Sequence, residues 1–492
     1  MLLITGARVL SPDAAEAPRA DILIEHERIA AVLAPGEGPA DAPRHDASNR
    51  LVIPGLINAH THGHGGLGKG LGDTWDLALL LAHAPWLNGG RGAEEKRLST
   101  LLAAVENLKK GATGGFDMTA EFPGPTPDGL DAMAEAYETV GLRMVLAPMV
   151  ADLTFFEATP GLLDALPAEH RARAAALRMP PAAETLAAIA RVAASWPHRG
   201  VALGIAPTIP LHGTDAFLRG CRELAERFGL PMQTHVAEAR YQAAGGAERY
   251  GRSLLAEMDR LGCVGPWFSV AHGVWLTDAD LDLLAARGGG LAHNPGANMR
   301  LASGVAPVRK ALARGIRVGI GTDGSSSSDN QNMFEAMRLA AFASRLWEDA
   351  AEQEWLGAAE TVRLATAGSA SLFGMEAGVI EAGRHADLVF LDTTHINWVP
   401  FNDAANQLVF TEDGSAVRDV MVGGAWKLRD GVVVGLDEAK LASEAQEAAL
   451  RLLALNAPLR RWCESVAPHI ACHCRALARG WRGARRLVAE AP

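Results

Sequence analysis

Short apolar runs alternate with longer Ala- and Leu-rich stretches through most of this chain, in the rhythm of a strand followed by a helix. Eight such runs occur, at residues 51–59, 113–118, 142–148, 201–207, 231–235, 267–272, 289–293 and 316–322. They are nearly continuous in apolar character, as parallel strands covered on both faces are. The stretches between them, such as 94–110 and 215–228, end near glycine as helices do. This pattern predicts an α/β fold of the (β/α)8 TIM-barrel type, with the active site at the C-terminal ends of the strands. The flanks differ: residues 2–10 and 21–32 before the first run, and 378–380, 387–391 and 417–427 after Gly374, form short β-rich pieces broken by Pro, Asp and Gly. Strands from both termini are expected to meet in a small β-sandwich. The expected division is therefore 1–54 and 376–436 for the sandwich, 55–375 for the barrel and 437–492 for a helical C-terminal extension.

Composition narrows the function. With 492 residues, 49% apolar and 21% charged, the chain exceeds one ordinary domain and has the balance of a soluble globular protein. A net charge of −11 and a pI near 5.8 argue against a general nucleic-acid binder and toward small-molecule partners. No run of 18 or more apolar residues appears, and the N-terminus lacks the basic flank and apolar core of a signal peptide. No membrane partner and a cytoplasmic location are expected, and five scattered cysteines suit reduced thiols there. Assembly as a homodimer or larger homo-oligomer is expected as well.

The candidate chemistry lies at the ends of the runs. His60 and His62 close the first run, and residues i and i+2 of a strand share a face, so both imidazoles can reach one ion. A catalytic ion needs at least three protein ligands and an open position. Further donors stand at other run ends: His235 and Glu238 in Gln233-Thr-His-Val-Ala-Glu238, His272 in Ser269-Val-Ala-His272, and Asp323 in Gly319-Ile-Gly-Thr-Asp323. A lone histidine is more often a hydrogen-bonded core residue than a ligand, but five such residues on one rim make a metal centre the better reading. Other features stay open. The segment Gly63-His-Gly-Gly-Leu-Gly-Lys-Gly70 reads as a flexible rim loop rather than a phosphate cradle, since it lacks Gly-Lys-Ser/Thr spacing. His64, Trp75 and Trp86 are pocket or packing residues, and His293 with Asn294 orients a substrate or completes a loop. The tail carries Cys463, His469, Cys472, His473 and Cys474 in no Cys-x2-Cys spacing; a solvated helix or subunit contact is the better reading, as a solvated face is for the arginines of 475–486.

Taken together, Pro54-Gly-Leu-Ile-Asn-Ala-His-Thr-His62, Thr234-His-Val-Ala-Glu238, Ala271-His-Gly-Val-Trp-Leu276, Ala292-His-Asn-Pro-Gly-Ala-Asn298, Gly321-Thr-Asp-Gly-Ser-Ser-Ser-Ser328 and Gly383-Arg-His-Ala-Asp-Leu-Val389 resemble the amidohydrolase superfamily over residues 1–440. Within it they are similar to the group of aromatic deaminases and chlorohydrolases, which includes methylthioadenosine/S-adenosylhomocysteine deaminases and triazine hydrolases. The resemblance implies that His60, His62, His235 and Asp323 bind one metal, with Glu238, His272 and Asp323 as catalytic residues. Dinuclear members bridge two ions with a fourth-strand lysine, and no Lys lies between Lys110 and Lys310, so one divalent ion is expected. Zinc is favoured and iron(II) tolerates the same donors.

The chemistry implied is hydrolysis of a C–N bond, most simply deamination of an aminated purine, pteridine, pyrimidine or triazine. Three neutral imidazoles and one carboxylate leave an ion able to lower the pKa of bound water from 15.7 toward about 7. Glu238 is then the proton donor to the ring, Asp323 the acceptor of the water proton, and His272 the group that holds the attacking oxygen. Expulsion of chloride or an alkylamine, or hydrolysis of an amide, would use the same site, and a catalytically silent scaffold is the remaining alternative. Nucleoside-type members carry a Pro-x-Glu loop and a Pro-His-Ser-Pro segment, where this chain has Ala84-Pro-Trp-Leu-Asn-Gly-Gly-Arg91 and Ala206-Pro-Thr-Ile-Pro210. Thr208 stands for the histidine and no acid stands in the loop, which counts against a ribosylated substrate.

Overall fold

The computed structural model describes residues 1–12, 16–347 and 351–481. Its fold is of the TIM-barrel α/β type. The first inner strand, Leu56–His62, pairs in parallel with Ala112–Thr119, which pairs with Arg143–Val150. Arg143–Val150 pairs in turn with Val201–Leu203 and Ala206–Pro207. A parallel bridge between Ile205 and Met232 leads to Met232–Val236, and the ladder continues through Phe268–His272, Gly290–His293 and Arg317–Ile320. Asp323–Gly324 returns the circuit to Thr61 and His62. Buried apolar residues from these strands and the surrounding helices form the main core.

Local chemistry explains the elements. Helix Asp215–Phe228 starts at Thr214, whose side chain accepts from the Phe217 amide, and ends at Gly229 with φ 66°, a left-handed stop that glycine adopts freely. Ala93–Lys109 occupies the other expected helical stretch, 94–110. The first apolar run is split: Arg50–Pro54 pairs antiparallel with Leu388–Asp392, and only Leu56–His62 enters the inner circuit. Pro54 has no amide hydrogen to donate and Gly55 approaches Thr113 so closely that a Cβ would lie 2.0 Å from its Oγ1, so the break sits where the chain changes sheets.

The terminal strands form one nine-stranded mixed sheet by pairing, in which Leu2–Val9 pairs antiparallel with Arg19–Glu25 and parallel with Arg44–Asp46 and Arg50–Pro54. Two expectations need correction. Residues 21–32 are a hairpin, Arg19–Glu25 and Arg28–Leu33, turned at His26 with φ 52°, rather than one strand. Residues 378–380 are not a strand: Gly378 lies at φ 82°, outside the extended region of a strand, where an added Cβ would lie 2.6 Å from Thr366 C. Beyond the sheet, helices Glu438–Leu455 and Ala457–Arg479 complete the described chain. The second is packed rather than solvated, with Trp462, Cys463, Val466, Ile470 and Cys474 buried against the inner helix Leu77–Asn88 and segment 155–174. Residues 482–492, including part of the arginine run, lie outside the described residues. Among described residues no helix is long and apolar enough to cross a membrane.

Candidate metal centre and active site

Of the six donors read from the sequence, His60, His62, His235, His272 and Asp323 converge at the C-terminal ends of the inner strands, with Glu238 close by. His60 and His62 end the first, His235 lies near the end of Met232–Val236, His272 ends Phe268–His272, and Asp323 opens the short return strand. Asp323 Oδ1 lies 3.6 Å from His60 Nε2 and 3.1 Å from His62 Nε2, and Oδ2 lies 3.7 Å from His272 Nε2. His235 Nε2 lies 3.3 Å from His62 Nε2. The backbone is bent to achieve this: His272 and Asp323 have φ of 68° and 63°, a left-handed conformation costly for side chains other than glycine.

The other ring nitrogen of each histidine fixes its tautomer. His62 Nδ1 donates to Met118 O at 2.5 Å, His235 Nδ1 to Thr208 O at 2.6 Å, and His60 Nδ1 to Gln233 Oε1 at 2.7 Å. Gln233 is oriented by its own amide, which donates to Ala59 O and Ser269 Oγ. All three Nε2 atoms therefore present lone pairs to a common point, and the buried Nε2 of His60 and of His272 has no hydrogen-bond partner. Lone pairs facing each other repel unless positive charge lies between them. Two nitrogens held about 2.0–2.1 Å from one tetrahedral ion would be about 3.4 Å apart, close to the observed His62–His235 spacing. The donor set fits one divalent ion. His60, His62 and His235 form one group of ligand atoms within 4.8 Å, and His60, His272 and Asp323 another.

Electrostatics separates the roles. Burial, with His60 and His62 close by, holds His235 well below the ordinary imidazole value, and burial lowers His60 and brings His272 to about 3. Burial also opposes charge on His62, but the Asp323 carboxylate outweighs it and raises the affinity of that imidazole for positive charge. Asp323 resists the effect of burial through His60 and His62 and stays well below the usual carboxylate range. Glu238 behaves oppositely: burial, reinforced by Asp323, pushes it well above the usual carboxylate range, which favours the protonated form. Its Oε1 lies 3.9 Å from His272 Nδ1, which itself donates to Asn298 Oδ1 at 2.8 Å.

A cavity of about 240 Å³ opens onto these residues and is lined by His62, His235, Glu238, His272 and Asp323. His64 also lines it; its Nδ1 accepts the Ala120 amide at 3.0 Å, so its proton sits on Nε2. Trp75 and Trp86 do not line the cavity: Trp75 stacks on His83 at 4.3 Å, and Trp86 donates to His83 Nδ1 at 2.9 Å. His293 and Asn294 are buried away from the cavity lining. The glycine-rich segment is not an open rim loop. Gly63–Gly68 is a buried 3-10 turn, a Cβ on Gly66 would lie 2.2 Å from Ser99 O, and Arg91 clamps the segment by donating to His64 O and Leu87 O. The glycines serve close packing. Gln233 and Asn298 were not singled out by the sequence; Gln233 carries a usable signal, since it shares a strand face with His235 two residues on. The carbonyls of Met118 and Thr208 carry none, because any residue supplies one.

The sequence pattern of the amidohydrolase family matches residues 51–427. The chain is 32% identical over 461 residues to a 5'-deoxyadenosine deaminase of Methanosarcina mazei, covering 92% of this chain and 98% of that one. It is 34% identical over 458 residues to a 5-methylthioadenosine/S-adenosylhomocysteine deaminase of Haloarcula marismortui, with the same coverages. Among solved structures it is similar to an atrazine chlorohydrolase of Arthrobacter aurescens complexed with zinc, with a TM-score of 0.81, 25% identity, and coverage of 91% of this chain and 100% of that one.

Proposed function

The chain belongs to the amidohydrolase family, and from that premise we propose that it removes an amino group hydrolytically from a ring carbon of an N-heterocycle. It is a hydrolase of C–N bonds, like its deaminase relatives, and the group takes one divalent metal. The observation that carries the specific reading is a buried Glu238 lining the same cavity as the three-histidine, one-aspartate cluster, its carboxyl pushed by burial well above the usual range. His60, His62, His235 and Asp323 would hold the ion, zinc first and iron(II) second, which when bound supplies activation of water near neutral pH. Asp323 Oδ2 takes the water proton. His272 Nε2, neutral and unpartnered, accepts a hydrogen bond from the attacking water and fixes its direction. Glu238 gives its proton to the ring nitrogen beside the attacked carbon, where negative charge would otherwise build, and Asp323 returns a proton to the departing amine.

The relatives' names, with 5'-deoxyadenosine and methylthioadenosine in them, support an adenine-type ring, although the loop acid and histidine tied to the ribosyl group are replaced here. Similarity to the atrazine chlorohydrolase supports a second reading, in which chloride or an alkylamine leaves the same kind of carbon. A silent scaffold is disfavoured because every donor is in place. The division that goes with this reading is a (β/α)8 catalytic barrel at 55–375, a β-sandwich from 1–54 and 376–436, and the extension 437–492; the inner pairing circuit and the shared terminal sheet support it. A cytoplasmic homo-oligomer completes the proposal, and five unpaired cysteines suit that compartment. An ammonia-release screen over aminated purines, pteridines, pyrimidines and triazines with zinc-loaded protein tests it. Release from at least one ring is expected; release from none, with turnover of a chlorinated or amide substrate instead, removes the deaminase assignment.

A further inference from the structure

One wall of the cavity is apolar, built by Leu77, Leu81 and Leu87 of helix Leu77–Asn88, by Phe155 and Phe156, and by Leu301. Charged side chains other than the catalytic cluster also line the cavity, and each makes bonds to the protein, although the buried Nε of Arg91 has no partner. Glu121 Oε2 accepts from Lys96 Nζ and Thr126 Oγ1, and its Oε1 accepts from the Thr126 amide. Arg91 donates to two carbonyls, and Arg178 donates to Ala175 O and Leu177 O. The leucine and phenylalanine side chains of the wall offer area and no acceptor for sugar hydroxyls; the side-chain amide of Asn88, which ends the same helix and also lines the cavity, donates to Ala84 O.

The outer face of this wall rests on a part of the chain beyond the family match at 427. Leu77, Leu87, Phe155, Phe156 and Leu301 share a satellite core with Trp462, Val466 and Ile470 of helix Ala457–Arg479. Phe156 and Trp462 lie ring to ring at 5.9 Å, and Arg460 sits 5.1 Å over Trp86. Asn456 Nδ2 donates to Gly89 O at 2.9 Å, and His473 Nε2 to Pro160 O at 2.7 Å. The helix is pinned at both ends to the two segments that make the wall.

We propose, resting on the deaminase reading, that this wall binds an apolar substituent carried on the aminated ring, an alkyl or aryl group in place of a hydroxylated sugar, and that helix Ala457–Arg479 sets its depth. Each methylene buried there contributes about fourfold to kcat/KM. Each sugar hydroxyl left without a partner costs roughly five- to a hundredfold.

The test uses the full-length zinc-loaded protein and the aminated ring that releases ammonia fastest in the screen, offered unsubstituted and with methyl, butyl, benzyl or ribosyl groups at one ring nitrogen. The kcat/KM is expected to rise along the alkyl series and to fall for the ribosyl form. A flat series, or a preference for the ribosyl form, overturns the inference while leaving deamination standing; release from no ring removes the deaminase reading itself. Trp462→Ala, and the milder Trp462→Phe, test the helix. With zinc content and thermal midpoint measured alongside, the butyl-to-unsubstituted ratio of kcat/KM is expected to drop about tenfold in the alanine variant and less in the phenylalanine one. Equal losses on both substrates would show a merely structural helix.

Discussion

Single atoms decide what the metal residues can do. Burial, reinforced by Asp323, pushes the Glu238 carboxyl well above the usual carboxylate range and favours its protonated form. Glu238→Gln preserves the shape and removes the transferable proton, so bound zinc should stay near one equivalent while turnover falls by roughly 10²- to 10⁴-fold; full activity with intact metal would end the proton-donor assignment. Gln233 acts one step further out. Its oxygen is the acceptor that fixes His60, and Gln233→Leu should weaken zinc binding about 10- to 100-fold in a chelator competition. His293 lies outside the site yet has a pH signature. Burial lowers it to about 4, so the unfolded chain takes up a proton near 6.5 while the folded one does not. Stability from this residue is therefore complete above pH 6.5 and is lost as pH falls toward 4, by on the order of 3 kcal/mol. His293→Leu should shrink the difference in urea-unfolding free energy between pH 7.5 and 5, and an unchanged difference would assign the pH dependence elsewhere. At this scale the sequence was informative for side chains on strands. His60, His62, His235, His272 and Asp323 could be found because period-two geometry and strand ends restrict where a donor can point. The backbone carbonyls that orient His62 and His235 could not, since their position depends on tertiary register alone.

Elements were legible where local signals agree with the tertiary fold. The helix Asp215–Phe228 has a Thr cap, an amphipathic body and a left-handed Gly stop, and the expected 215–228 coincides with it. Signals misled where tertiary packing overrides them. The run 51–59 is uniformly apolar, so periodicity alone does not show that Pro54 and Gly55 pass it from one sheet to another. Five glycines in 63–70 suggest mobility, yet their absent side chains let the segment lie against Ser99 and Ser325. Gly66→Ala makes the distinction measurable. Its methyl would meet a backbone carbonyl that cannot rotate away, so a loss of about 1–3 kcal/mol of stability is expected. If the variant unfolds at the wild-type denaturant midpoint, the turn is loose and the close-packing account of its glycines is wrong.

Across the whole molecule the candidate metal residues come from two separate strand ladders. His60, His62 and Asp323 belong to the ladder that runs from Ala206–Pro207 to Asp323–Gly324, whereas His235 and His272 belong to the four-stranded ladder of Met232–Val236 to Arg317–Ile320. On one side the two ladders meet through the bridge at Ile205 and Met232 and through backbone bonds from Gln233 N to Ile205 O and from His235 N to Thr208 O. On the other, Arg317–Ile320 and Asp323 are one chain bent at Gly321, whose Cβ would lie 2.7 Å from His60 N. An ion shared by His62 and His235 would therefore cross-link the two ladders at the rim. Binding to the folded state alone stabilises it by about 2.7 kcal/mol when free zinc is 100 times its Kd. Chelation of the purified enzyme should lower the thermal midpoint and speed amide exchange most in Met232–Val236, and added zinc should reverse both. The reversal should fail in His235→Ala, which lacks the donor from the second ladder, and the same variant should exchange that strand at the metal-free rate whether zinc is present or not. Equal protection of this strand with and without metal in the unmodified protein would mean that packing and the existing hydrogen bonds hold the two ladders together, and that the ion serves chemistry without bracing the fold.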